Sequence, residues 1–226
     1  MAGWINSHFL LLILILSTVL SWLWLMDFEQ RLSIRGRTAL LLAIGHTLLG
    51  VACVKAFAFL EGVPGGMSLY GAVFFLPLVY FLGARWSKRP AAEVFDVFTI
   101  CTVLTLLLAR VNCLHNGCCL GAFISGSSGM RWPTREAEIV FYIALIVWLG
   151  GKILKNKAHG TAYPIYMFSY GIFRFICEFF RENESIGGQF HLSHVWSICA
   201  IAVGLAAYFR VKQKTKKGKS RRKHND

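Results

Sequence analysis

Long apolar runs constrain the fold of this chain more than any other feature. A helix needs about 20 mostly apolar residues to cross a hydrocarbon core of ~30 Å. Seven stretches qualify, at residues 8–26, 38–60, 69–84, 92–109, 137–151, 162–180 and 192–209, of which the third and fifth are short and would cross with little tilt or in a thinned region of the bilayer. Hydrophobic residues make up 56% of the chain and charged residues only 15%, which excludes a soluble globular domain and a disordered chain. We therefore expect an all-α, polytopic membrane protein with seven transmembrane helices.

The distribution of basic residues predicts how these helices are oriented. Of the 24 Lys and Arg residues, 18 fall in the loops of one side and the C-terminal segment, and four fall in the loops of the other side. Because basic residues accumulate on the cytoplasmic side, the N-terminus is predicted outside and the C-terminus in the cytoplasm. The chain would then consist of a transmembrane domain at residues 1–209 and a basic cytoplasmic tail at residues 210–226. Residues 9–26 follow no charged region and precede no clear cleavage site, so we interpret them as a retained span.

The net charge of +13 does not indicate a nucleic-acid partner. Nine of the 24 basic residues lie in the tail, where anionic lipid head groups attract positive charge. The sequence has no nucleic-acid-binding motif and no interleaving of basic and aromatic residues. The expected partner of the basic tail is therefore anionic lipid, and no cofactor is expected.

Charged residues in the sixth span indicate a functional site. Tyr170, Arg174, Glu178 and Arg181 would form one stripe on a helix that turns about 100° per residue. One interpretation is an internal ion-pair ladder, because Arg174 and Glu178 are four residues apart. The other is a site for an anionic head group, because two guanidinium groups against one carboxylate leave net positive charge and Arg binds phosphate well. Arg110 would add a third cation at the outer end of the fourth span.

The connection at residues 110–135 contains three cysteines, and three interpretations stay open. A disulfide from Cys113 to Cys118 or Cys119 is favoured, because thiols on the outer face of a membrane tend to oxidise. A metal site is less favoured, because the spacing lacks the paired cysteines of common zinc sites. A reactive thiol is the third interpretation. Because the disulfide is favoured, we assign no metal ligands from the sequence.

Three segments carry a family resemblance. Residues 170–181 read YGIFRFICEFFR, residues 65–71 read GGMSLYG, and Arg110 is followed by Asn116, Gly117 and Gly121. Together they resemble the prolipoprotein diacylglyceryl transferase family: its late helix, the loop before its His-Gly-Gly, and the signature around its essential Arg and Asn. The resemblance implies a seven-helix enzyme of the bacterial cytoplasmic (inner) membrane. Such enzymes move a diacylglyceryl group from phosphatidylglycerol to a lipobox cysteine thiol.

The sequence departs from the family pattern at several positions. Tyr70 stands where the family has its His, Cys113 where the signature has Asn, and Cys118 where it has Glu. Residues 132–138 resemble the family's His-Pro-x-Gln-Leu-Tyr-Glu at the Pro, at the Thr and at the final Glu138. The acceptor is therefore expected to be a lipobox thiol or a related acceptor.

The resemblance and the residue chemistry together give the site residues their expected roles. Arg110 and Arg174 would hold the phosphate and its developing charge. Tyr70, His115 and Glu178 are the alternatives for the base that activates the acceptor, and His115 is included only because histidine titrates near neutral pH. The resemblance and the stripe suggest a set of substrate-binding residues: Tyr170, Arg181, Asn116, Gly117, Gly121 and Gly71.

Two other functions stay open. The arginines would also suit a membrane protein that binds an anionic phospholipid without turnover. The cysteine cluster would suit a thiol-redox or metal-binding membrane protein. Consumption of phosphatidylglycerol with release of glycerol phosphate would distinguish the transferase from both.

Overall fold

A computed structural model describes residues 2–26, 36–62, 66–86, 88–124, 129–181 and 191–225. The loop between the first two predicted spans, at 27–35, and Gly65 of the second motif lie outside these ranges. The described helices are α1 (Ala2–Met26), α2 (Gly36–Leu60), α3 (Tyr70–Phe74), α4 (Leu76–Trp86), α5 (Ala91–His115), α6 (Thr134–Leu154), α7 (Ala162–Glu178) and α8 (Leu192–Asn225). Within these ranges the only extended pairing consists of two isolated bridges. The predicted all-α class is confirmed.

Five helices are long and apolar enough to cross a membrane. The segments are His8–Met26, Gly36–Leu60, Ala91–His115, Thr134–Leu154 and Leu192–Thr215. Large apolar side chains cover their outer surfaces; Leu41, Phe59 and Val147 are 69%, 72% and 71% exposed. Water would penalise such a surface, whereas lipid chains solvate it. The chain is therefore a multi-pass helical membrane protein.

The third predicted span is divided into α3 and α4. Pro77 has no N–H group to donate to the carbonyl of Val73, so the helix is interrupted next to it. A Cβ atom at Gly71 would lie 2.2 Å from the carbonyl oxygen of Cys53 in α2, and only glycine allows this approach. The approach places Tyr70, at the start of α3, in the protein interior.

Helices α5 and α7 end at other residues than the apolar pattern predicts. α5 continues past residue 109 to His115, so Arg110 lies on a helix and the outer loop is shorter than the predicted 110–135. α7 ends at Glu178, and the next residues form tight i→i+3 turns, the last from the Arg181 N–H to the Glu178 carbonyl at 3.2 Å. The prediction that Arg181 continues the helical stripe is therefore wrong. Arg181 instead forms a bridge with Gly121 of the outer loop.

Close contacts fix α7 in the bundle. A Cβ atom at Gly171 would lie 2.8 Å from the carbonyl oxygen of Ser197, so α7 and α8 pack at short range through a small residue, as membrane helices often do. Asp96 on α5 accepts the backbone N–H groups of Gly160 at 2.6 Å and Ala162 at 2.9 Å. These bonds satisfy donors at the start of α7 that have no helical partner. They also hold α7 in register with α5, the two helices that carry Arg174 and Arg110.

Candidate active site

One buried carboxylate holds three arginines together at one end of the bundle. Glu138, in the first turns of α6, is ion-paired with Arg110 through Nε, with Arg174 through Nη1 at 3.0 Å, and with Arg181 through Nη1 at 3.4 Å. Arg174 also pairs with Glu178 at 2.9 Å, the predicted i,i+4 contact. All five side chains are less than 10% exposed. Three guanidinium groups against two carboxylates leave one net positive charge.

The convergence of these arginines was predicted, but its centre was not. Arg110 and Arg174 come from distant parts of the sequence and meet as expected. Glu138 was not among the predicted site residues. The sequence did carry a signal for Glu138, because it is the final Glu of the family-like segment 132–138.

The charges of the cluster also act on Arg181. Burial, followed by the charges of Arg174 and Arg110, lowers the pKa of Arg181.

A cavity of about 510 Å³ adjoins the arginines. Six of the predicted residues contribute to its wall: Arg110, Arg174, Arg181, Tyr70, Tyr170 and Glu178. The hydroxyl of Tyr70 donates to the carbonyl of Ser193 at 2.8 Å and lies 2.8 Å from Ser197 Oγ. The hydroxyl of Tyr170 is buried and has no hydrogen-bond partner among the described residues. A ligand in the cavity would therefore meet both positive charge and an available donor.

An apolar groove lies next to this polar cavity. Leu10, Met67, Leu69 and Ala109 line both spaces, so the two adjoin each other. The groove lies between α1, α2 and α5, and almost all of its wall is apolar. A polar, cationic pocket that adjoins an apolar groove fits an amphipathic anion.

The structure does not bring His115 and Asn116 to the cavity wall. The ring of His115 stacks on that of Phe9 with the centroids 3.8 Å apart. Asn116 is the C-cap residue of α5, and its Nδ2 donates to Asn112 Oδ1 at 3.2 Å. Gly117 follows with φ of 65°, the left-handed conformation that commonly ends a helix. These three residues shape the end of α5.

The two other predicted glycines act through close packing. Gly71 permits the contact of α3 with α2 described above. A Cβ atom at Gly121 would lie 2.1 Å from the carbonyl oxygen of Trp132, and its own carbonyl accepts Nη1 of Arg131 at 3.0 Å. Since Gly121 also bridges to Arg181, this packing positions an arginine of the cavity wall.

Three thiols occupy the wall beside Arg110. The sulfur atoms of Cys113, Cys118 and Cys119 all lie within 4.8 Å of one another, and all three cysteines are free. The favoured disulfide is therefore not formed in this structure. The hydrogen bond from Cys113 lowers the pKa of Cys119 well below its ordinary value; burial opposes this shift, and the charges of Arg110 and Arg181 add to it.

Comparison with known proteins agrees with the resemblance. A model of the family described as "Prolipoprotein diacylglyceryl transferase" matches residues 12–210. The chain belongs to this family. The expectation drawn from the three motifs is thereby confirmed.

Several curated relatives carry the name phosphatidylglycerol–prolipoprotein diacylglyceryl transferase. The protein from Polaromonas naphthalenivorans is 27% identical over 139 residues, which cover 55% of this chain and 51% of the relative. A second such transferase from Clostridium perfringens is 30% identical, with 63% and 61% covered. The protein from Dehalococcoides mccartyi strain BAV1 is 25% identical, with 66% and 64% covered. The alignments thus span between half and two thirds of the length of these family members.

Proposed function

We propose that this family member transfers a diacylglyceryl group from phosphatidylglycerol to an acceptor thiol and releases glycerol phosphate. The observation that carries the proposal is the set of three buried guanidinium groups around Glu138, on the wall of a cavity that adjoins an apolar groove. The net positive charge suits one phosphodiester, and the groove suits acyl chains. The names of the relatives agree with this substrate and reaction.

The arginines would act on the leaving group. The reaction breaks the bond between the diacylglyceryl carbon and a phosphate oxygen, and it forms a bond from that carbon to the acceptor sulfur. Charge develops on the glycerol phosphate that leaves. Preorganised cations in a site with little water stabilise such charge strongly, which assigns this task to Arg110, Arg174 and Arg181. The unpaired hydroxyl of Tyr170 would donate to a phosphate oxygen.

Two of the proposed bases lie on the cavity wall, but both are engaged. The Tyr70 hydroxyl donates to the Ser193 carbonyl, and Glu178 is paired with Arg174. His115 faces Phe9. We keep Tyr70 and Glu178 as the candidates for proton transfer within the cavity wall. Their engagement leaves room for another means of activating the acceptor thiol.

We also propose the seven-span topology with the N-terminus outside and the C-terminus in the cytoplasm. The α3–α4 unit, Tyr70–Trp86, would be the third crossing, and α7 the sixth, beside the five long helices. The biased distribution of Lys and Arg supports this orientation. The cavity would then open at the outer leaflet of the bacterial cytoplasmic membrane, with residues 210–226 as a cytoplasmic tail.

The test uses the full chain in liposomes with labelled phosphatidylglycerol and a lipobox peptide. Arg110→Lys and Arg174→Lys keep the charge but lose the planar, bidentate grip. We expect each to lower the transfer rate by about 100-fold or more. Arg85→Lys is the matched control, because Arg85 lies in the last turn of α4 and does not line the cavity.

Two outcomes would contradict the proposal. One is full transfer by both cavity variants while they insert as the wild type does. The other is wild-type protein that binds phosphatidylglycerol but neither consumes it nor releases glycerol phosphate, which would indicate a lipid-binding protein. If Arg110→Lys does not insert into the membrane at all, the transfer rates of Arg174→Lys and Tyr170→Phe test the proposal instead.

A further inference from the structure

Three cysteine sulfurs meet on the cavity wall. Cys113 lies in the last turn of α5, and Cys118 and Cys119 follow the turn at Gly117. Their sulfur atoms all lie within 4.8 Å of one another. Around a tetrahedral zinc ion with Zn–S bonds of about 2.3 Å, sulfur atoms are about 3.8 Å apart. The three sulfurs would therefore need to approach one another by roughly 1 Å at most.

The backbone is arranged to bring the adjacent cysteines together. Cys119 has φ of 57°, the left-handed conformation that a non-glycine residue rarely adopts. The N–H of Cys118 donates to the carbonyl of Cys113 at 3.1 Å, which closes the turn. In an extended chain the side chains of neighbouring residues point in opposite directions. Here the turn directs both sulfurs toward Cys113.

We propose that Cys113, Cys118 and Cys119 bind one Zn²⁺ ion and leave its fourth coordination position open to the cavity. Thiolates are preferred zinc ligands, and sites with three protein ligands keep one position for water or substrate. All three cysteines line the cavity. The surroundings suit a site of this charge, because three thiolates around Zn²⁺ leave one negative charge and Arg110 Nη1 lies 3.9 Å from Cys113 Sγ.

The open position has a consequence that rests on the proposed transferase function. The acceptor thiol would bind as the fourth ligand, and coordination to zinc removes its proton, which passes to solvent. The bound thiolate sulfur then forms the bond to the diacylglyceryl carbon, while glycerol phosphate leaves with the electron pair of the broken C–O bond. The metal would supply the activation that Tyr70 and Glu178, both engaged, supply poorly. The site also lies beside Arg110, which would hold the phosphate.

The first experiment measures metal content without reference to activity. The full chain is purified in detergent under reducing conditions, stripped with a chelator, and reloaded with Zn²⁺ or Co²⁺. We expect about one metal ion per chain, and with Co²⁺ a thiolate-to-metal charge-transfer band. Cys113→Ser, Cys118→Ser and Cys119→Ser should each lose the ion and the band. Cys199→Ser, a change outside the cluster, should keep both.

Three results would overturn the metal site. The first is that the reloaded wild type contains no Zn²⁺, and the second is that all three cluster variants retain the ion. The third is that protein isolated without reductant has a disulfide among these cysteines and binds metal only after reduction. Melting temperatures of the metal-free proteins provide the folding control. If a variant fails to insert, the thiols of the wild-type protein are alkylated instead, and this treatment should also block metal uptake.

The second experiment tests the open position and separates this proposal from the transferase proposal. A lipobox peptide is added to the Co²⁺ form, and the visible spectrum should shift; the same peptide with Ser in place of its Cys should cause no shift. An unchanged spectrum with the Cys peptide would overturn the open position. If the Co²⁺ form shows the spectral shift but the zinc-loaded protein consumes no phosphatidylglycerol, the transferase proposal fails and the metal site stands. If metal-free protein transfers at the full rate, the role of zinc fails and the transferase stands.

Discussion

The unpaired hydroxyl of Tyr170 gives the sharpest test of the proposed phosphate site. It is buried on the cavity wall, and the described residues offer it no hydrogen-bond partner. In the absence of ligand it therefore contributes nothing to stability through hydrogen bonding. If phosphatidylglycerol fills the cavity, this hydroxyl gains an anionic acceptor. Tyr170→Phe removes that one bond and changes the shape of the wall very little.

The expected loss follows from the strength of the bond. A hydrogen bond to a charged group contributes about 1.5–3 kcal/mol. At about 1.36 kcal/mol for each factor of ten, kcat/KM for phosphatidylglycerol should fall roughly 10- to 150-fold. The melting temperature in detergent should stay level or rise, because the substitution removes a buried polar group that has no partner. Release of glycerol phosphate from proteoliposomes measures the rate.

A matched control lies one turn earlier on α7. The hydroxyl of Tyr166 is also buried and without a partner among the described residues, but Tyr166 does not line the cavity. Tyr166→Phe should therefore leave kcat/KM unchanged. Equal activity of the two variants would refute the reasoning, because it would mean that the Tyr170 hydroxyl meets no anion. A melting temperature lowered by Tyr170→Phe alone would refute the absence of a partner.

Two further substitutions test the architecture of the site. Glu138→Gln leaves buried guanidinium groups without their shared carboxylate and should lower the free energy of unfolding by about 3–5 kcal/mol. The control is Glu136→Gln: the Glu136 side chain is 45% exposed, so its loss should lower the free energy of unfolding by less than about 1 kcal/mol. Similar melting temperatures for the two variants would contradict the central role of Glu138. Gly71→Ala places a Cβ atom 2.2 Å from a backbone oxygen of α2, so it should lower the free energy of unfolding by about 1–3 kcal/mol or prevent membrane insertion. In the control, Gly45→Ala, the new Cβ atom would have no neighbour within 4 Å among the described residues outside its own stretch of helix, so the variant should be as stable as the wild type or more stable by up to ~1 kcal/mol. Thermal melts of the four variants decide both points, and an unaffected Gly71→Ala would disprove the close approach of α3 to α2.

The sequence predicts the helices well because lipid imposes one rule along the whole chain. A segment that crosses a membrane must be apolar and must satisfy its own backbone hydrogen bonds. Five of the seven predicted segments match helices that meet this rule by length and composition. The other two, α3–α4 and α7, are shorter and carry a proline interruption or charged residues. Whether these two segments cross the membrane depends on packing in the bundle, which an apolar pattern does not encode.

The ends of helices that carry the site were harder to predict. Hydropathy falls at Arg110, so the pattern ends the fourth span there, but the helix continues because Glu138 neutralises Arg110 within the protein. That partner is 28 residues away in sequence, and no local periodicity connects the two. The same carboxylate receives Arg181, which leaves the helical stripe after Glu178 and still reaches the same site. Long-range charge pairing is the information that a reading of local patterns lacks.

The charge balance of the cluster gives a physical reason for two acids in the proposed anion site. Three guanidinium groups alone would repel one another in a medium of low dielectric constant, so they could not stay assembled without ligand. Glu138 and Glu178 remove most of that repulsion and hold the arginines in fixed positions before any lipid arrives. The loss of either carboxylate would leave more uncompensated positive charge in the protein interior, at the expense of the fold. The two carboxylates thus keep the three arginines assembled and leave them positive charge for the proposed phosphodiester.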